Sequence, residues 1–385
     1  MKEHCGPSSV LRIPAIAVLA GLLLTAPRAG LASGSTAGQD QPLTGRELYL
    51  SACANCHGSD GKAVSQSVLG FDLRVRDFTD CQATVREPDA DWVAVGLHGG
   101  PARGFSELMP AFEGLLSAEE VALIVAYMRT FCPDRSWPRG ELNLPRALFT
   151  EKAFPEDEAV ITSTFDAEGE GLISNKIVYE QRLGAKSQFE ITAPFGWQKT
   201  SVEPANPDWS SSLGDMAVGV KRVLYHNFGR GSIFSATAEL ITPTGDEARG
   251  FGKGTFIFEP FLSFGQLLPA DFFLQLQTGV ELPFQIRKAE KEGFLRLVLG
   301  RSFDEGGWGR SWSPMIELLG AGELSGNAVI NWDVVPQFQV TLNKRKNIMA
   351  NLGVRLPVNN TSGRTTQVVF YLLWDWFDGT LFQGW

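Results

Sequence analysis

From Ile330 to Asn343 the chain alternates residue by residue, and that pattern limits what its second half can become. One face reads Ile330, Trp332, Val334, Pro336, Phe338, Val340 and Leu342; the other reads Asn331, Asp333, Val335, Gln337, Gln339, Thr341 and Asn343. A period of two marks a β-strand with unlike faces, because successive side chains point to opposite sides. The pattern recurs where Phe272, Leu274, Leu276 and Val280 oppose Gln275, Gln277 and Glu281, and where Ile348, Ala350, Leu352, Val354 and Leu356 oppose Asn351, Gly353 and Arg355. Val368, Phe370, Leu372, Trp374 and Trp376 continue it. Such runs match the ~9–11 residues that a tilted strand needs to cross a bilayer. About twelve fit between Glu158 and Gly379, an even number that returns the chain to its starting side.

Connection lengths sharpen the reading. Gly184-Ala185, Asn227 to Gly231, Leu268-Pro269 and Lys344 to Asn347 are short, whereas Gly196 to Gly214, Pro243 to Gly254 and Pro283 to Gly293 are long and polar. Short turns on one side and long loops on the other are the habit of transmembrane barrels. Trp308, Trp312, Trp374 and Trp376 suit a membrane interface, and Trp385 supplies an aromatic terminus. Inward positions would carry Lys221, Glu239, Glu259, Glu281, Asp333 and Arg355. A soluble two-sheet sandwich shows the same alternation. Pro260 and Pro336 also count against a closed sheet, which has no edge where a missing donor goes unnoticed. Turn lengths and aromatics favour the barrel over residues 158–385.

The first half obeys a different period. Thr44 with Glu47, and Ser117 with Glu120, form capping boxes ahead of the apolar runs at Leu48 and Val121, so residues 43–132 are expected to be helical at both ends. Pro133, Pro138, Pro145 and Pro155 mark 133–157 as a linker. At the N-terminus, Lys2 and Arg12 precede an apolar stretch from Ile13 to Ala26 and a small-residue cleavage site before Ser33. That is the form of a secretory leader over 1–32, followed by a flexible segment over 33–42. Its removal takes Cys5 and leaves Cys53, Cys56, Cys81 and Cys132, an even set suited to an oxidising compartment. No run reaches the ~18–20 apolar residues of a spanning helix. The net charge of −9, with no basic stripe, argues against nucleic acid as a partner.

Cys53-Ala54-Asn55-Cys56-His57 is a C-x-x-C-H sequence, the attachment signature of c-type haem. Two thiols one helical turn apart can add to the vinyl groups on one porphyrin edge, and the adjacent His can reach the iron. A dithiol redox pair would want a βαβ setting, and a zinc site a second C-x-x-C; neither is present. Met109, in Leu108-Met109-Pro110, is the expected sixth ligand, with His98 in a Gly-rich loop as its competitor. Met128, inside the last helix, reads as packing.

With these residues in place, about 90 residues (43–132) resemble class I, mono-haem cytochrome c. Gly45 and Tyr49, the Cys53-to-His57 motif with Gly58 and Gly61, Met109-Pro110 and Tyr127 all fall where that family has them. The resemblance implies an all-α domain whose first and last helices cross at a small residue. It also implies one covalent haem c ligated by His57 and Met109. One departure stands: no obvious Pro follows the motif to accept the His57 ring proton, so what orients His57 is left open. Cys81 and Cys132, outside the motif, are expected to pair as a disulfide, because free thiols are disfavoured outside the cytoplasm. The second half loosely resembles outer-membrane porin and transporter families, and the whole resembles fused cytochrome–porin proteins in architecture alone.

No hydrolase or transferase constellation stands out, so an electron carrier is favoured over a catalyst. The expected function is electron transfer by one haem held at the periplasmic mouth of an outer-membrane barrel. Periplasmic redox proteins or a small redox-active molecule would be its partners. Two alternatives stay open: a channel or transporter gated by its haem domain, and a haem enzyme if Met109 does not ligate.

Overall fold

The computed structural model describes residues 42–168, 171–200, 208–305, 310–325 and 329–376. The expected leader over 1–32, the segment 33–41, Trp308 and Trp385 lie outside the described residues.

The helical part begins where its caps predict. The Thr44 hydroxyl accepts from the Glu47 N–H, the Glu47 carboxylate accepts from the Thr44 N–H at 2.8 Å, and α1 (Gly45–Ala52) follows. Short helices α2 (Ala54–His57), α3 (Gln66–Leu69) and α4 (Cys81–Thr84) lead to α5 (Asp89–His98). A second reciprocal cap at Ser117 and Glu120 opens α6 (Ala118–Met128). The first and last of these cross at Gly45, where a Cβ would collide with the Leu123 carbonyl oxygen. That close approach lets Tyr49 meet Tyr127 at 5.4 Å and Phe131 at 5.3 Å between ring centroids. Leu48, Tyr49, Phe78, Ile124 and Met128 form the core beneath. Cys81 and Cys132 are joined by a disulfide with a Cα–Cα distance of 5.1 Å, tying α4 to the chain just past α6.

The strands are β1 (Glu158–Asp166), β2 (Leu172–Leu183), β3 (Ser187–Thr200), β4 (Asp208–Leu213), β5 (Ala217–Asn227), β6 (Ser232–Ile241) and β7 (Ile257–Leu267). They continue as β8 (Phe272–Pro283), β9 (Glu292–Arg301), β10 (Phe303–Glu305), β11 (Arg310–Glu323), β12 (Asn331–Thr341), β13 (Ile348–Pro357) and β14 (Gln367–Asp375). All pairings are antiparallel, and β1 pairs with β14, closing a barrel of 12 strands; β4 and β10 are short hairpin extensions.

Burial decides between barrel and sandwich. The apolar face points out: Phe338 is 41% and Leu352 55% exposed, while Gln337 is 6% and Gln339 5% exposed on the inward face. A sandwich would reverse this. The two prolines are absorbed by losing pairing on one side. Pro260 keeps its place opposite Ala238 while the β7–β8 ladder skips from Phe258 to Phe261, and Pro336 faces Ile316 while the β12–β13 ladder skips from Val334 to Gln337.

The stretch read as a linker is corrected by the structure. Much of residues 133–157 enters the barrel and packs on its inward face. Leu142 and Phe154 pack on Val223 and Ile233; Leu144 and Ala147 on Phe273, Val298 and Met315; Leu148 on Val335 and Tyr371. The irregular backbone needs partners there, and the inward polar face supplies them. Side-chain oxygens of Gln337, Gln277 and Gln188 accept from the N–H groups of Leu148, Glu151 and Glu156 at 3.0, 3.0 and 2.6 Å. Gln275 and Tyr371 donate to the carbonyls of Pro145 and Arg146 at 2.8 and 2.7 Å. Arg146 meets Glu158 and Glu180 at 2.5 and 2.8 Å, and Lys152 meets Glu156 and Glu158 at 2.5 and 3.1 Å.

The helical part sits against the short-turn end of the barrel. Lys346 reaches Asp91 at 2.9 Å, Arg345 lies 4.6 Å over the Phe105 ring, and Arg86 pairs with Asp157. From the connecting segment, Arg139 lies 4.6 Å over Phe228 and Trp137 sits 4.9 Å beneath Arg182.

Candidate functional site

Cys53 both ends α1 and begins α2, so the motif is a single helical turn. The Cys53 carbonyl accepts from the N–H groups of Cys56 and His57 at 3.2 and 3.0 Å, which fixes the spacing of the two thiols and the imidazole. Gly58 and Gly61 follow with φ of 76° each, and the Phe131 ring packs so closely on Gly61 that a side chain there would collide. Both thiols are free and half-buried. Burial, with a smaller push from Cys56, raises the Cys53 thiol to about 11. Burial also lowers His57 to about 4, while the Arg76 backbone carbonyl pulls the other way. The ring is therefore neutral, the form that ligates a metal. It stacks on Phe78 at 4.6 Å and 18°, and Phe78 in turn packs edge-on to Trp92 at 5.4 Å. Packing against Phe78 and the influence of the Arg76 carbonyl stand where a proline was missed, although Nδ1 closes no hydrogen bond of normal geometry.

Met109 is positioned by the end of α5. The Met109 N–H donates to Ser106 O at 3.2 Å, and the Gly100 N–H donates to Met109 O at 3.0 Å. Gly99 has φ of 79°, which favours glycine, and lies against Met109 O, while Gly100 abuts the Ser106 carbonyl so closely that a Cβ there would collide. His98, just before them, faces the surface with Nδ1 3.1 Å from Glu113 Oε2.

Cys53, Cys56, His57 and Met109 all line one cavity of about 1160 Å³, and His98 does not. That volume lies just above the usual ~300–1,000 Å³ of ligand-enclosing pockets. Val95, Phe112, Ile124 and Val125 give it apolar walls, while Lys62, Arg74, Arg76 and Arg345 bring cations. Two thiols, a neutral imidazole and a thioether around an apolar space with cations among its lining fit a covalently held haem. Met128 lines the same cavity but is 7% exposed and belongs to the core beneath it. Sequence reading missed Phe78 and Trp92, which any aromatic count could have flagged. It also missed Arg345, a turn residue of the barrel with no local signal at all.

Two family models match the chain. One, described as "Cytochrome C oxidase, cbb3-type, subunit III", matches residues 40–128, and the other, described as "Putative MetA-pathway of phenol degradation", matches residues 156–366. Among solved structures, the chain is similar to the COG4313 outer membrane channel from Pseudomonas putida F1, at 14% identity and a TM-score of 0.43, covering 60% of this chain and 98% of that one. It is also similar to a KdgM porin in complex with disordered oligogalacturonate, at 13% identity and a TM-score of 0.38, covering 57% of this chain and 98% of that one. No match was found among curated proteins.

Proposed function

Because the chain belongs to the family described as a putative MetA-pathway of phenol degradation, with a cytochrome c segment ahead of that family's barrel, we propose that it is a membrane-anchored electron carrier. The observation that carries this reading is the single cavity shared by Cys53, Cys56, His57 and Met109. Bound there, one haem c supplies one-electron Fe(III)/Fe(II) chemistry. Cys53 and Cys56 would hold it by thioether bonds, and His57, stacked on Phe78, would offer it a neutral nitrogen. Met109 offers the sulfur that favours reduced iron and raises the potential. Apolar walls exclude water from the same space.

The barrel serves as the anchor. Its outward apolar belt suits the outer membrane, and the segment between Leu142 and Asp157 occupies the lumen where an open pore would run. The short-turn end, and the helical part with it, faces the periplasm, where export through a cleaved leader over 1–32 would deliver the chain. Soluble periplasmic redox proteins or a small redox-active molecule are the partners. The contacts from Arg86 to Asp157 and from the Asp89 N–H to Glu141 join the helical part to the lumen segment, which favours a gated channel as the second reading.

Redox titration of the purified full chain, followed by its visible spectrum, tests the carrier. A reversible one-electron low-spin haem signal is expected, and a five-coordinate spectrum in the unmodified protein would overturn it. Conductance in planar bilayers that opens and closes with the redox state would favour the channel.

A further inference from the structure

Arg345 belongs to the turn between β12 and β13, yet its side chain lines the cavity built by the helical part. Its guanidinium lies 4.6 Å over the Phe105 ring, and its stem passes Gly104, where a Cβ would stand 3.3 Å from Arg345 Cγ. Gly104 has φ of 67°, so the chain is both bent and bare at that contact. The Arg345 Nε is buried and finds no hydrogen-bond acceptor among the described residues.

The turn holds this arginine firmly. Lys346, with φ of 60°, is 2.9 Å from Asp91 and 3.2 Å from Asp304. Asp91 also accepts from Arg103 at 2.8 Å, so the carboxylate nearest the turn is already engaged by two cations. The Asn343 Nδ2 donates to the Asn347 side chain at 2.5 Å, and Leu342 N–H to Ile348 O at 2.7 Å, closing the turn on itself. A half-buried guanidinium that lines a cavity, with its buried Nε lacking an acceptor, is a ready partner for an anion held there. A haem carries two carboxylates on one edge, and a guanidinium is the side chain best shaped to bind them.

We propose that Arg345 is the barrel's own contribution to the haem site: it binds a haem carboxylate, so the pocket is complete only with the helical part seated on the β12–β13 turn. This rests on the haem reading above. A cation of the membrane anchor would then tune the iron. A positive charge near the iron disfavours its oxidised form, so it raises the potential.

The test uses the full chain with haem attached, as wild type and as Arg345→Gln, Arg345→Lys and, as a control in another short turn, Arg230→Gln. Potentials are read by spectroelectrochemical titration across pH. Arg345→Gln is expected to shift the oxidised-to-reduced ratio about tenfold toward oxidised, some 59 mV for one electron. Its proton-linked step should move to higher pH as the carboxylate loses its cation, and Arg345→Lys should keep most of the wild-type potential. Arg230→Gln should leave it unchanged. A covalently haem-bearing Arg345→Gln with wild-type potential and pH dependence overturns the proposal. Should Arg345→Gln fail to assemble, Arg345→Lys with a potential lowered as far as loss of charge requires overturns it equally. Absence of covalent haem from the wild type would instead show that the functional reading itself has failed.

Discussion

Arg146→Met is the substitution that most directly probes how the lumen segment is held. The guanidinium lies 2.5 Å from Glu158 and 2.8 Å from Glu180, with side-chain exposures of 8%, 1% and 0% for the three residues. Methionine keeps the length of the stem and removes the charge. Breaking a buried ion pair by deleting one partner costs about 3–5 kcal/mol, because the other charge stays buried. Here each carboxylate retains a second neighbour: Lys152 lies 3.1 Å from Glu158, while Gln188 donates to Glu180 at 2.8 Å and Lys221 stands 3.7 Å from it. The expected loss is therefore near the lower end, about 3 kcal/mol, a substantial part of the ~5–15 kcal/mol typical of a fold. Urea unfolding in detergent micelles, followed by tryptophan fluorescence, measures it as a lower midpoint. Adding Glu158→Gln and Glu180→Gln should recover most of the loss, since the stranded charges are then gone. A single variant within about 0.5 kcal/mol of wild type, or a triple variant no more stable than the single, would refute the account.

Changing both Cys53 and Cys56 to Ser should abolish covalent haem while the barrel still forms, checked by haem staining beside heat-modifiable migration; retained stain would contradict it. Met109→Ala should keep the haem and open its sixth position, read as a low-spin to high-spin change in the visible spectrum, and an unchanged methionine-type spectrum would oppose that ligand. Replacing Leu142 to Asp157 with a Gly/Ser linker should turn a poorly conducting barrel into an open pore in planar bilayers, and equal conductance would show that this segment does not block passage. Changing Cys81 and Cys132 to Ser frees a cross-link spanning 51 residues. Chain entropy sets its worth at about 4 kcal/mol, and a thermal midpoint unmoved by the change would argue against the bond.

The features legible from sequence were those whose cause is local. A capping box is a four-residue device, so Thr44 and Ser117 announced α1 and α6 by themselves. Alternation announced the strands. Pro336 looked like an objection only because sequence cannot show that one of its two ladders is spared. The lumen segment escaped notice for a different reason. Its surroundings are barrel side chains on every side, so its apolar residues follow no period, and Pro145 and Pro155 read as breaks. One signal was present: the inward face uses neutral Gln188, Gln275, Gln277, Gln337 and Gln339, residues that both donate and accept, which suits solvating a backbone. Likewise Gly99 and Gly100 hold the chain around Met109 through a close approach that only coordinates reveal. Arg345 lies 236 positions from Met109 in numbering, and nothing local ties the two.

Closure of the barrel has a consequence for how such a chain is made. β1 begins directly after the lumen segment, and its partner is β14, the last strand described, with Val160 facing Leu373. The seam therefore joins the start of the sheet to its end, so the ring is sealed only after every other strand exists. The segment inside starts and ends at the short-turn mouth, where Arg139 lies over Phe228 and the Arg182 N–H donates to Asp157, so both of its ends stay on the head's side of the ring. A chain cut short before Gln367 would therefore keep two raw sheet edges, at β1 and β13, each open to pairing with another chain.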